Sequence, residues 1–217
     1  MAQPRSWPAR ASIRCPPPGS SLDSVAASNV QLQLKVAELE REVEEVRHLA
    51  HHDSLTGLPN RALLLDRLHQ AMLQAIRQRK AVGLLLLDLD GFKNVNDGFG
   101  HHAGDAILQG VATRLMHCIR GCDTACRYGG DEFVILLPEI SGVDVVERVE
   151  RKIRACLAVP HRLSGRAVTI AASIGSVVFS HGAANCDELI AAADTAMYRA
   201  KARRPRRMET MKQGMNT

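Results

Sequence analysis

Apolar positions along this chain change period several times, and each change marks an element. From Asn29 onward Leu32, Val36, Leu39, Val43, Val46 and Ala50 recur at spacings of four and three, with Lys35, Glu38, Glu40, Arg41, Glu42, Glu44, Glu45 and Arg47 between them. That pattern is the seam and charged flanks of a short coiled coil over residues 28–50, whose pairing would make a parallel homodimer. One amphipathic helix lying against its own domain is the alternative. Ahead of it, residues 1–27 are rich in Pro, Ser and Arg, have no period, and include Pro16, Pro17 and Pro18, which forbid a helix. Disorder is expected there.

Past turn signals at Gly57 and Pro59, residues 61–79 read as a helix with Leu63, Leu64, Leu68, Met72 and Ile76 on one face. Residues 81–87 are continuously apolar and short, which suits a strand buried on both faces; it ends at Asp88. A helix is expected over about 104–119, facing inward with Ile107, Val111 and Leu115. Residues 124–128 and 133–137 flank Gly129-Gly130 as hairpin strands do. Residues 143–157 read as a helix, 167–179 as a strand and 186–201 as a helix. This order implies an α+β fold, one mostly antiparallel sheet packed with helices.

Composition refines that picture. Apolar residues make up 46% of the 217 positions, enough for a packed core, but aromatics only 3%. The core is therefore expected to be Leu, Ile, Val and Ala, and the stacking platforms of a single-strand nucleic-acid binder are missing. The net charge of +5 is an end effect: residues 199–217 hold seven basic residues against one acid. Such a tail is more often solvated than bound to a partner; residues 208–217 are expected to be disordered. Cys15, Cys118, Cys122, Cys126, Cys156 and Cys186 form no paired framework, and Cys118, Cys122 and Cys126, four apart, would line one helix face. Reduced thiols in the cytoplasm are expected. No apolar run nears the roughly 20 residues of a membrane span, and the first residues lack the apolar core of a secretory signal.

Two acidic sites fall where chemistry is possible. Asp88 and Asp90 close the buried strand and, two apart, point the same way. Asp131 and Glu132 follow the hairpin glycines. If strand and hairpin are neighbours, Asp88 and Asp131 converge, and converging carboxylates repel one another unless a cation lies between them. A hard divalent ion with oxygen ligands suits them, and two such ions ~4 Å apart suit phosphoryl transfer. The bland readings are that Asp90 caps the next helix and that Gly129-Gly130-Asp131 is only a turn.

The residues RYGGDEF, 127–133, resemble the signature of the GGDEF family of diguanylate cyclases. DSLTGLPNR at 53–61, DLDGFKNVND at 88–97, FGHHAGD at 99–105, SIG at 173–175 and ADTAMYRAK at 193–201 resemble further landmarks of that family in the same order. The resemblance implies a GGDEF catalytic domain over residues 51–207, with a five-stranded sheet like that of nucleotide cyclases and polymerase palms. It implies condensation of two GTP into cyclic di-GMP and two pyrophosphates across a dimer. By the same resemblance Asp88, the Leu89 carbonyl and Asp131 would hold Mg2+ (or Mn2+), two ions per GTP half-site. Asp131 would be the candidate acceptor of the 3′-hydroxyl proton, with Glu132 beside it, and Lys93 would stabilise the phosphorus centre. Asn96 and Asp105 would read the guanine edge, His101 would lie against the nucleotide, and Gly129, Gly130 and Lys201 would approach the phosphates.

Arg120-Gly121-Cys122-Asp123 resembles the family's inhibitory product site, R-x-x-D, with Arg151 as a supporting arginine; the plain alternative is a surface Arg–Asp pair. The chain departs from the family after Lys201. Where the family carries Gly-Arg-Asn, Arg204, Pro205 and Arg206 stand here, so a phosphate-contacting arginine is replaced by proline. Losing such a contact costs about 1.5–3 kcal/mol of binding, which keeps open a second reading: a weak or inactive domain that receives GTP or cyclic di-GMP.

Overall fold

The computed structural model of the chain describes residues 20–163, 165–180 and 185–203. It divides into two units, residues 1–47 and 48–217. In the first, the described chain is helix α1 (Ser20–His51), whose last turn belongs to the second unit. Residues 20–27, expected to be irregular, are helical. Ser and Asp are helix-opening residue types, Ala26 and Ala27 propagate a helix, and the proline run that argued against one stops at Pro18. The seam residues Leu32, Val36, Leu39, Val43 and Val46 are 47% to 66% exposed. Lys35–Glu38 (2.7 Å) and Arg41–Glu45 (3.4 Å) pair along the surface.

The second unit follows the expected order with five differences. Helix α2 (Arg61–Gln78) starts at the Asn60 cap, whose side chain accepts from Leu63 N. Its buried stripe is Leu64, Leu68, Met72 and Ala75; Ile76 points outward at 55% exposure, because the four-four-three spacing turns the inner face onto Ala75. Strand β1 (Ala81–Asp90) leads into α3 (Phe92–Phe99) and α4 (His101–Cys118). The first of these two helices was not legible, since Gly91, Gly98, Asn94 and Asn96 read as loop. Strands β2 (Thr124–Gly129) and β3 (Glu132–Ile140) form the hairpin, and α5 (Val143–Leu157) follows. The expected strand over 167–179 is two strands. β5 (Arg166–Val168) pairs with β4 (His161–Leu163), and β6 (Ala171–Phe179) joins the main sheet, followed by α6 (Cys186–Arg203).

Among the described residues the main sheet has four strands, not five, in the order β2-β3-β1-β6, with every neighbouring pair antiparallel. β1 lies in the middle and is buried on both faces, as its unbroken apolar run requires. Leu85, Leu87 and Leu89 face α4 and α5, meeting Ile107, Val111, Leu115 and Ile153. Val82, Leu84 and Leu86 face α2 and α6, meeting Leu68, Met72, Leu189 and Met197. α6 packs directly on the backbone of β6: a Cβ on Gly175 would come 2.1 Å from Met197 N and 2.3 Å from Ala193 O. The three regularly spaced cysteines do not share a helix face. Cys118 ends α4, Cys122 lies in the turn after it, and Cys126 is on β2. The five described cysteines are free thiols, and Cys15 lies outside the described residues. Burial pushes the Cys118 and Cys126 thiols up to about 12.

Candidate functional site

The acids meet at one end of the sheet because of register. β1 runs antiparallel to β3 with Asp88 opposite Glu132, and Leu89 N donates to Asp131 O at 3.2 Å. Alternation puts Asp88 on the face of Leu84 and Leu86, toward α6, and cross-strand neighbours share a face. Lys201, near the end of α6, reaches across with Nζ 2.8 Å from Asp88 Oδ1. Asp194, one helical stretch earlier, joins the group. Burial, then the charges of Asp88, Asp131 and Asp194, push the Glu132 carboxyl above its ordinary value, and Lys201 opposes them.

This donor set fits a hard divalent cation. Its ligands are oxygens, and the carboxylates of Asp88, Asp131 and Asp194 together push the charge balance at Glu132 toward the protonated form despite Lys201. Among the described residues no three His, Cys, Asp or Glu side chains come together as a metal-binding group. An ion on Asp88 and Asp131 would thus complete its shell from water and phosphate oxygens, as Mg2+ commonly does. Asp90, the other acid of the strand, accepts from Ser173 Oγ at 2.6 Å. It does not cap α3, whose N-cap is Gly91 with no side-chain bond.

The turn that carries Asp131 is held by Arg127. Its Nε and Nη2 donate to Gly130 O at 3.0 and 2.8 Å, while Nη1 spans both carboxylate oxygens of Asp53 at 3.0 and 3.1 Å. Gly130 sits at φ +47°, in the left-handed region that glycine favours. Asp53 also accepts from Thr56 N and Oγ1, and Arg127 N donates to Pro59 O. Asp53, Thr56 and Arg127 were legible as motif letters, but this clamp between two motifs was not. Asp194 was likewise missed, although it lies within the ADTAMYRAK segment. Arg61 stacks over Tyr128 at 4.9 Å, and a cleft of about 320 Å³ opens there, lined by Arg61, Tyr128, Glu132, Asp187 and Asp194 among others.

The remaining site residues lie on α3 and α4. Lys93 is exposed in the first turn of α3, and His101 is exposed at the start of α4. Asn96 packs on Gly104, where a Cβ would stand 1.9 Å from its Oδ1, and Asp105 follows, half-buried. Asn96 Oδ1 is buried without a hydrogen-bond partner, an acceptor that a ligand donor would satisfy. Arg120 and Asp123 form a turn, but not through an ion pair: Arg120 N donates to Asp123 Oδ2 at 2.8 Å, and Asp123 N to Arg120 O at 3.0 Å. The Arg120 side chain is exposed. Arg151 is exposed on α5, beside Lys152, whose Nζ donates to His117 O near the end of α4. Arg204, Pro205 and Arg206 lie outside the described residues.

Comparison with known proteins adds an independent line. A profile described as "Diguanylate cyclase, GGDEF domain" matches residues 50–207. The chain is 43% identical over 180 residues to MucR of Pseudomonas aeruginosa, a bifunctional diguanylate cyclase/cyclic di-GMP phosphodiesterase, covering 82% of this chain and 26% of that one. It is 41% identical over 173 residues to the diguanylate cyclase TpbB of the same species, covering 79% of this chain and 40% of that one. The chain thus spans well under half the length of these curated relatives. Among solved structures, the isolated GGDEF domain of TpbB superposes with a TM-score of 0.69 at 39% identity, covering 71% of this chain and 90% of that one. The coiled coil and GGDEF domain of DgcB from Caulobacter crescentus, in complex with c-di-GMP, gives 0.76 at 28% identity, covering 82% of this chain and 95% of that one.

Proposed function

Since the chain belongs to the GGDEF-domain family of diguanylate cyclases, we propose that it condenses two GTP into cyclic di-GMP in the cytoplasm, releasing two pyrophosphates. The observation that carries this reading is the register pairing Asp88 with Glu132, which brings the strand acids and the turn acids to one sheet end. Each chain would offer one half-site. In it, Asn96 and Asp105 bind the guanine edge, His101 lies against the nucleotide, and Lys93 and Lys201 bind phosphates while Gly129 and Gly130 let them approach. Asp88, the Leu89 carbonyl and Asp131 would hold the Mg2+ or Mn2+ ions, two per half-site, which supply charge neutralisation and acidify the attacking hydroxyl when bound. The 3′-oxygen of one GTP forms a bond to the α-phosphorus of the other, the bond to the β-phosphate oxygen breaks, and pyrophosphate leaves. The hydroxyl proton passes toward Asp131 or water, with Glu132 alongside.

Two half-sites must face each other, so the exposed seam of α1 supports dimerisation by residues 28–50, which raises the effective concentration of one half-site at the other. The exposed guanidinium of Arg120, with Asp123 and Arg151, supports a product-binding inhibitory site. Among the described residues no helix is long and apolar enough to cross a membrane. Pro205, in place of the family's arginine, favours the second reading, a receptor of GTP or cyclic di-GMP without turnover.

Incubation with GTP and Mg2+, with cyclic di-GMP detected chromatographically, tests the proposal. Product from wild type and none from Asp131→Asn is expected. Cyclic di-GMP binding that is lost in Arg120→Ala, with no turnover in wild type, would leave the receptor reading.

A further inference from the structure

Among the described residues, Lys201 is the cation paired with Asp88. Its Nζ lies 2.8 Å from Asp88 Oδ1, and the two side chains differ in freedom: Asp88 is 13% exposed and Lys201 51%. The carboxylate is fixed at the end of the central strand, whereas the ammonium rides on a flexible stem near the end of a surface helix. Glu132 lies opposite Asp88 on the neighbouring strand, and the charges of Asp88, Asp131 and Asp194 all bear on it, so the lysine acts as a counter-charge.

We infer that Lys201 is an exchangeable stand-in for a metal ion: it occupies Asp88 in the nucleotide-free protein and must leave before a divalent cation can bind there. This deepens the reading given under Proposed function and rests on it. The ammonium and a metal ion compete for Asp88 Oδ1, and the two cations side by side repel. A lysine that leaves needs a new anion, and the triphosphate supplies one. Metal and nucleotide therefore load together: the nucleotide draws the lysine off Asp88, the freed carboxylate takes the ion, and each raises the affinity of the other by the same factor.

The test is Mn2+ binding to the full chain, followed by isothermal titration and by the paramagnetic resonance signal of free Mn2+. Both are read with and without guanosine 5′-(α,β-methylene)triphosphate, which cannot release pyrophosphate. Lys201→Met, with Lys201→Gln as a second variant, is expected to bind Mn2+ about fivefold more tightly than wild type without nucleotide, the factor for a half-exposed ion pair at the upper end of its usual strength. The analogue should tighten Mn2+ binding in wild type and do so markedly less in either variant. Arg199→Gln removes the same charge two positions earlier on the same helix and should change Mn2+ affinity less than twofold.

Unchanged or weaker Mn2+ binding in both Lys201 variants, or an equal gain in Arg199→Gln, would overturn the exchange. If those results came while the wild type turned over GTP, the exchange alone would fall. If wild type bound no Mn2+ even with the analogue, the metal site of the proposed function would fall with it.

Discussion

The clamp formed by Arg127 is the contact whose removal tests the architecture of the site most directly. Arg127→Ala deletes two hydrogen bonds to Gly130 O and the bridge to Asp53. The side chains of Arg127 and Asp53 are 15% and 22% exposed, between the buried and surface cases. Breaking a buried pair costs about 3–5 kcal/mol, and exposed pairs contribute about 0–1 kcal/mol. Asp53 keeps its two bonds from Thr56, so a loss of about 2 kcal/mol is expected, a fall in melting temperature of roughly 4–8 °C for a domain of this size. Urea unfolding of wild type, Arg127→Ala, Asp53→Ala and the double variant should give a coupling energy of about 1 kcal/mol or more.

The same pair predicts a pH dependence. Burial pushes the Asp53 carboxyl up, but the bonds from Thr56 and the Arg127 guanidinium outweigh it and hold the group below its ordinary 3.8. A depressed folded value means that the unfolded chain takes up the proton first as pH falls. The stabilisation is therefore complete above about 4 and disappears as pH drops through the lower folded value. Wild type should lose stability over that window, and Arg127→Ala should lose less. Turnover should fall by about tenfold or more, because the turn carrying Asp131 loses its anchor. Stability of Arg127→Ala within about 0.5 kcal/mol of wild type at neutral pH, or a deficit equally large at pH 3, would refute the reasoning.

Other parts of the molecule give further tests. Glutamate at both Val36 and Val43 should convert a dimer to a monomer by light scattering and abolish turnover at low protein concentration, where mixing cannot replace the coiled coil. Gly175→Ala sets a methyl group against the α6 backbone and should destabilise the domain by about 2–3 kcal/mol or more in urea unfolding. In the native protein Cys122, exposed, should react with a thiol-specific disulfide reagent, while Cys126, buried and raised to about 12, should react only as fast as the protein opens; peptide mapping distinguishes them.

Periodicity and motif together disclosed much of this protein, and what they disclosed is local. The unbroken apolar run of β1, the seam of α1, the inward stripe of α4 and the turn at Gly129-Gly130 each follow from side chains a few residues apart, where the 3.6 and 2.0 repeats decide which face a residue takes. The alternation that points Asp88 and Asp90 the same way is of this kind. Short elements bounded by glycine escaped, as with α3, since eight residues between Gly91 and Gly100 offer too few turns to set a period. So did the break at Thr169 and Ile170, where one apolar stretch serves two sheets. Tertiary structure alone decided which distant groups meet. The β1–β3 register sets Asp88 against Glu132, and a slip of one residue would have sent the acid to the other face. Lys201 reaches Asp88 from 113 positions away, and Arg127 grips Asp53 across 74. Contacts at such separations depend on how β1 is buried between two helix layers, a property of the packed sheet that no single segment contains.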